Sequence, residues 1–583
     1  MAVSLNFQTS FCFKTLSIQR KPSLQRPLVP SQYICCSKHH VETTNLPFQR
    51  RSANWKPNIW DDDFIKNIKH GHKEEVYEMK GEVLKAEIRE LLRNIYDDKG
   101  PLALLEFIDD IQKLGLGYIF HQDIKLSLTF LNEKNVIMDQ SLHFTALYFR
   151  LFRQYGYNVS QDVFNLFKDP QGYFKCQDLK SIVSLYQASF AGSTNDVILE
   201  EAKIFAYQHL KNVKRDINHA YAELVAHEMD FPLHYRVPRL DCRWYIDIYS
   251  KKCDTNATLL EFAKLDYNKV QAAYQNGLID MSKWSKELGL YKNLPFARDR
   301  VVECFLWSSF VVAEPQYKYA RDGLCKLSVL VTVIDDIYDV YSTLDEAKCF
   351  TNAVERWDVE AIEELPDYMK LCFFALKNTI NEMGYYILKE QGINVVPYLR
   401  KTWLDLCKAY LLEAQWFHTG YKPTLDEYLD NAWVSIGGYL AYFQCYVLMS
   451  PNITQDVVDY LESYPNFIRW SCLILRLNDD MGTSKDETER GDVLKSVQCY
   501  MHNNGANEED ARDYIRDMID ETWRKVNAEL LVENPLPQSF IDVVVNFQKT
   551  SESMYRYGDG HGAQTDETKG KILSTLIVPL LIT

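Results

Sequence analysis

The periodicity of this chain constrains its fold more than any other feature. From Glu74 onward apolar residues recur three or four positions apart with charges between them, as in EEVYEMKGEVLKAEIRELLRNIY (74–96) and PLALLEFIDDIQKLGLGYIF (101–120). The same spacing returns in SLHFTALYFRLFRQYGY (141–157) and ILEEAKIFAYQHLKNV (198–213). This is one face of an α-helix, repeated. No segment alternates apolar and polar residues between hairpin turns, and no fixed-period repeat is visible. Pro101 suits a first helical turn, and Pro295, Pro315, Pro366, Pro397, Pro423, Pro451, Pro465 and Pro535 mark further helix boundaries. The fold class is therefore all-α. One segment conflicts: SVLVTVI (328–334) is β-branched, and propensity alone makes it a strand. Its neighbours are helical and it has no partner strand, so we expect a buried helix.

A chain of 583 residues exceeds one small core, so two large helical domains are expected. The break is placed after residue 255, within KKCDTNATLL (251–260), where polar DTNAT precedes a new helix. That gives an N-terminal domain over 50–255 and a C-terminal domain over 256–583. Residues 1–49 differ in kind. They hold no Asp or Glu before Glu42, while Lys14, Arg20, Lys21, Arg26 and Lys38 are basic. This is the composition of an organelle transit peptide, with a disordered tail as the plainer alternative. The net charge of −15 argues against a broad basic face for nucleic acid. No apolar run reaches the roughly 18 residues of a membrane span. The 14 cysteines show no metal-like spacing and read as buried thiols.

The chemistry concentrates in KLSVLVTVIDDIYDVY (326–341). On a helix Asp335 and Asp339 share a face, with Asp336 about 100° round. Buried acids are costly without compensation. Oxygen donors with no Cys or His nearby point to Mg²⁺ or Mn²⁺. A second set, RLNDDMGTSKDE (476–487), repeats Asp479, Thr483 and Glu487 every four residues. Arg476 lies one turn earlier and Lys495 two turns later on the same expected face. Acids and cations together suggest a clamp in which metals bind the acids, and Arg and Lys bind phosphates. Upstream, FARDRVVECFLW contributes Arg298, Arg300 and Trp307. Taken alone, the two arginines read as a surface salt-bridge cluster and the tryptophan as core.

DDIYD, NDDMGTSKDE, RDR and RRSANWKPNIW (50–60), in that family's order and spacing, resemble a plant class I terpene synthase of the monoterpene type. FAKLDYN, EPQY and RGDVLKSVQCYM agree, and the likeness runs from Arg50 to the end of the sequence. The resemblance implies a C-terminal class I helical bundle holding the active site, and an N-terminal α-barrel-like relic domain serving as scaffold and lid. It implies that Asp335 and Asp339 ligate two Mg²⁺ with Asp336 in support. Asp479, Thr483 and Glu487 would hold a third ion, and Mn²⁺ would substitute. Arg298, Arg476 and Lys495 would bind the diphosphate, with Arg300 helping. Arg50, Arg51 and Trp60 would cap the site. The leader would be a plastid transit peptide delivering a monomer to the stroma.

The implied reaction expels diphosphate from geranyl diphosphate. It leads to cyclic monoterpenes through linalyl and terpinyl cations, or to an acyclic product such as linalool. An allylic cation needs walls that cannot attack it, and Trp307 would stabilise it through its π face. Ser328, seven residues before Asp335, should face the cavity and influence product choice. Gly437 and Gly438 in SIGGYLAY (435–442) would break a helix facing the diphosphate. Tyr439 and Ser342 depart from the family pattern. Tyr555, Asp559 and His561 in YRYGDGHG (555–562) belong to an expected C-terminal lid loop. Two other readings stand beside this one: a sesquiterpene synthase using farnesyl diphosphate, and a catalytically inactive helical scaffold. A chain-elongating prenyltransferase would carry two aspartate motifs of the first type. A protonation-initiated cyclase needs DxDD, which WDDDFI (60–65) does not match.

Overall fold

The structure is a computed structural model, and it describes residues 50–68, 74–134, 141–213 and 219–582. The expected transit peptide, 1–49, lies outside the described residues. Among those residues every regular element is helical, apart from one isolated bridge pairing Lys168 with Phe174. The expected punctuation operates locally. Pro101 opens the Pro101–Lys113 helix, while Pro366 and Pro465 immediately precede the Asp367–Gln391 and Asn466–Arg490 helices. Thr343 with Glu346, and Thr424 with Glu427, form reciprocal caps that satisfy first-turn N–H groups.

One long helix joins two of the three apolar cores found among the described residues. Leu104, Ile108, Phe120, Leu128 and Leu151 centre the N-terminal core. The Ala257–Leu288 helix places Leu259, Phe262 and Leu265 in that core. Its later turns, Val270, Tyr274 and Leu278, enter the larger core of the C-terminal bundle. The expected break after residue 255 thus falls just before Asn256, which caps this helix by accepting the Leu259 N–H. The C-terminal tail returns to the same helix, where Asn268 bonds both the N–H and the carbonyl of Leu580 at 2.8 Å.

The bundle positions the site through a few helices. The β-branched run lies inside the Lys318–Asp336 helix, with Val329, Leu330, Val333 and Ile334 fully buried. Tertiary burial overrides strand propensity here. This helix packs against Val301–Val311 and Gly438–Met449, and Asn466–Arg490 packs against Gln538–Tyr555. A break separates the Leu425–Ser435 and Gly438–Met449 helices at Gly437, whose φ of 74° suits a residue without Cβ. No helix among the described residues is long and apolar enough to cross a membrane.

Candidate active site

The Lys318–Asp336 helix delivers the first acids at its C-terminal end, and there the chain widens into a π-type turn, Ile337–Tyr341. The Ser342 N–H closes it on the Ile337 carbonyl at 2.8 Å. The face-sharing expected of a continuous α-helix is therefore modified, because the wider turn rotates Asp339. The carboxylates stay close nonetheless. Burial, with the Asp335 charge added, pushes the Asp339 carboxyl well above the usual range. Asp336 is held among other partners. It is 1% exposed and accepts the Arg298 backbone N–H at 2.8 Å, Arg298 Nε at 3.2 Å and the Trp55 indole N–H at 3.0 Å. Burial pushes its carboxyl up to about 6 against the pull of Arg298. The Arg298 guanidinium also pairs with Asp335.

The second set stands on the Asn466–Arg490 helix, with Asp479, Thr483 and Glu487 at successive turns. Arg476 pairs with Asp479, and its Nε lies 2.8 Å from Asp480. Lys495 arrives differently from the sequence expectation. The helix stops at Gly491, which takes a left-handed conformation, so Lys495 is not on the same face two turns on. It comes from the following segment, immediately before the Ser496–Asn504 helix, and its Nζ lies 3.1 Å from Glu413. Burial would pull this ammonium down, but Glu413 and Glu487 hold it well above its ordinary range, and Asp339 adds to them. The loop thus returns the lysine to both acidic sets.

Several partners escaped the sequence reading. Glu413 lies in LLEAQWF, and its only local signal is an acid on a buried face; it also accepts Asn431 Nδ2 at 3.1 Å. Asp480, fully buried, takes the Tyr428 hydroxyl at 3.0 Å and the Ser496 N–H at 2.9 Å, and so braces the helix under Asp479.

Among the described residues no three acidic, His or Cys groups converge as a self-sufficient metal cage. The donor chemistry still fits a hard divalent cation. Asp335, Asp339, Asp479, Thr483 and Glu487 offer only oxygen, and one Glu487 carboxylate oxygen is buried without a hydrogen bond. Magnesium is commonly held by one or two carboxylates plus substrate phosphates, which suits two partial sets.

The wall beside these acids is aromatic. Trp307 is buried on the Val301–Val311 helix, with ring centroids of Phe547 and Tyr555 at 5.8 Å and of His561 at 6.3 Å. Its indole N–H has no hydrogen-bond partner. Burial, then Arg298 and Arg300, hold the His561 imidazole down at about 3, so it is neutral beside Thr332 Oγ1, 3.1 Å away. Asp559 closes its own turn on the His561 and Gly562 N–H groups. Ser328 lies on the half-exposed stripe with Val331 and Asp335.

Two further expected site residues have partners of their own. The Arg300 guanidinium, 1% exposed, donates to the carbonyls of Gly562, Lys56 and Asp299. With these backbone carbonyls as its partners, it ties the lid loop to the N-terminal segment. Tyr439 donates to the Leu461 carbonyl at 3.3 Å and packs on Tyr464 and Phe443. That packing against the Leu461–Tyr464 turn accounts for its position.

Residues 50–61 form an irregular strap. Arg50 binds Glu346 through two bonds of 2.8 Å and the Tyr341 carbonyl at 3.0 Å. Arg51 binds the Asp339 carbonyl at 2.9 Å, the Arg490 carbonyl at 3.3 Å and Asp492 at 2.7 Å. Helix ends leave carbonyls without partners and favour cations, and both arginines exploit this. Trp60 anchors the inner end, its indole N–H 3.0 Å from buried Glu303.

Comparison with known proteins gives a consistent picture. The model of the terpene synthase family metal-binding domain matches residues 286–525, and that of the terpene synthase N-terminal domain matches 59–229. The chain is 47% identical to (−)-alpha-terpineol synthase of Vitis vinifera, over 91% of each chain. It is 46% identical to a chloroplastic myrcene synthase of Quercus ilex, over 94% of this chain and 92% of that one. Isoprene synthase of grey poplar, solved with three Mg²⁺ ions and dimethylallyl-S-thiolodiphosphate, superposes with a TM-score of 0.82 at 43% identity. That match covers 90% of this chain and 99% of that one.

Proposed function

Given that the chain belongs to the terpene synthase family, we propose that it is a monoterpene synthase that ionises geranyl diphosphate. One observation carries this reading. Two oxygen-donor faces, Asp335/Asp339 and Asp479/Thr483/Glu487, each hold an arginine, Arg298 at the first and Arg476 at the second, and Lys495, paired with Glu413, feels the acids of both. The curated relatives, named for terpineol and myrcene formation, support a ten-carbon substrate.

In the reaction the C1–O bond of the substrate breaks heterolytically, and its electron pair leaves on the diphosphate. Arg298, Arg476 and Lys495 exchange their carboxylate partners for phosphate oxygens and stabilise that charge where it develops. Magnesium held by Asp335, Asp339, Asp479, Thr483 and Glu487, three ions in all and replaceable by manganese, would supply further positive charge to the leaving group. Asp336 keeps the Arg298 segment in place. Trp307 and Tyr555 offer π faces to the allylic cation. Neutral His561 adds no positive charge to repel the cation, and the apolar helix turns offer no nucleophile to trap it early. The sequence ends by proton loss or by water addition, in a cavity shaped in part by Ser328.

The 256–583 domain would carry the chemistry, and the 50–255 domain with its strap would support and cover it. The leader 1–49 would direct a monomeric enzyme to the plastid stroma, in keeping with the chloroplastic relative. The test is a product assay on the full chain with Mg²⁺, offering geranyl and farnesyl diphosphates separately and analysing volatiles by gas chromatography. Monoterpenes formed from geranyl diphosphate with little farnesyl product are expected. Equal or greater yield from farnesyl diphosphate would overturn the substrate assignment, and no turnover of either would overturn the enzymatic one.

A further inference from the structure

Trp55 lies within the RRSANWKPNIW stretch but at none of its three named positions, yet its partners are Asp336, Arg298 and Arg490, on or beside the two acidic helices. The Arg298 guanidinium lies 4.5 Å from its ring centroid and the Arg490 guanidinium 5.0 Å. The indole N–H donates to Asp336 Oδ1 at 3.0 Å. The neighbouring residue is fixed as well, because Arg300 binds the Lys56 carbonyl at 3.1 Å. Arg490 is in turn held through Asp492, 2.9 Å from its Nε, and through its own carbonyl, which Arg51 takes. A half-buried tryptophan engaging two guanidiniums and a buried carboxylate is not ordinary core packing. Like charges near one another repel, and the π face of an indole is the best side-chain surface for holding a guanidinium.

We propose that Trp55 is a positioning residue for the leaving-group site: by gripping Arg298 and Arg490 and bonding Asp336, it sets the orientation in which Arg298 receives the diphosphate. This deepens the function proposed above and rests on it. The strap then acts as a working part of the phosphate site as well as a cover over it. The ligand class concerned is inorganic or organic diphosphate, and the residue acts through Arg298.

The test uses the full-length chain and inorganic pyrophosphate with saturating Mg²⁺, titrated calorimetrically, so that binding is read without turnover. Trp55→Ala is expected to weaken pyrophosphate binding roughly tenfold, the loss of one or two cation–π contacts. Trp55→Phe, which keeps a π face but lacks the N–H, should recover part of that loss. In an Arg298→Ala background Trp55→Ala should cost nothing further, because the residue it positions is gone. Thermal melting of Trp55→Ala at the wild-type temperature is expected, which separates positioning from folding. Unchanged affinity in Trp55→Ala, or the same additional loss in the Arg298→Ala background, would overturn the inference and leave the proposed function standing. Failure of the wild-type chain to bind pyrophosphate with Mg²⁺ would overturn both.

Discussion

Ser328 stands two helical turns before Asp335, and its hydroxyl already donates to the Leu324 carbonyl at 2.9 Å. A serine that bonds back into its own helix contributes little to stability. Its remaining lone pairs are free to orient a water toward a cation. Ser328→Ala is therefore expected to leave stability within about 0.5 kcal/mol of wild type. The product mixture should shift from alcohols toward hydrocarbons, as chromatography of the volatiles from geranyl diphosphate would show. An unchanged mixture would remove Ser328 from the cavity's working surface. Glu413 shows a different logic at the same scale. The Lys495 and Glu413 side chains are 6% and 3% exposed and lie 3.1 Å apart, so losing either removes the other's direct partner in a buried setting.

At the level of elements, one close approach that bears on the site is at Gly482, in the middle of the second acidic helix. A Cβ there would lie 2.9 Å from Tyr555 Cβ, 3.0 Å from the Tyr555 carbonyl and 3.1 Å from that of Gly558. Backbone cannot yield cheaply, so Gly482→Ala should destabilise by about 1–3 kcal/mol. It should also push the 555–562 loop off the helix, lowering the melting temperature and weakening pyrophosphate binding together. A fall in only the first would detach this contact from the site. The helices themselves were legible in the sequence because a 3.6-residue period is a local property. The Asp479/Thr483/Glu487 face was legible for the same reason. What could not be read was pairing across distance: Lys495 with Glu413, 82 residues away, and Trp55 with Asp336, 281 away. A charge in a sequence announces a need for a partner without naming it. Arg300 shows the same limit, since its bonds to three backbone carbonyls could not be foreseen from the motif. Gly491 could have been read as a helix stop, and with it the return of Lys495.

Across the whole molecule, the two halves meet in a joint that is partly polar. Lys203 and Tyr235 both reach Asp520, and His234 stands edge-on to Trp523 with ring centroids 5.0 Å apart. His234 Nε2 is buried without a hydrogen bond. Burial, aided by Lys549, Lys203 and Arg150, holds its imidazole down at about 3. The folded value lies below the ordinary one, so the unfolded chain binds the proton first. The stability that neutral His234 contributes is present above about pH 6.5 and is lost as pH falls toward 3. His234→Phe should therefore flatten the stability profile, with the difference from wild type changing by ~2 kcal/mol between pH 7 and pH 4.5. Parallel denaturation profiles would exclude this histidine as a source of acid sensitivity. The strap has a consequence of its own at this scale. Arg50 and Arg51 make six hydrogen bonds between them, and Ser52 makes none to the bundle. A chain beginning at Arg50 and one beginning at Ser52 would differ by two residues, yet the second would lose all six arginine bonds and keep only the inner contacts of Trp55, Lys56 and Trp60. Ragged trimming would then yield two discrete forms in one preparation, each with its own rate, rather than one form of averaged quality.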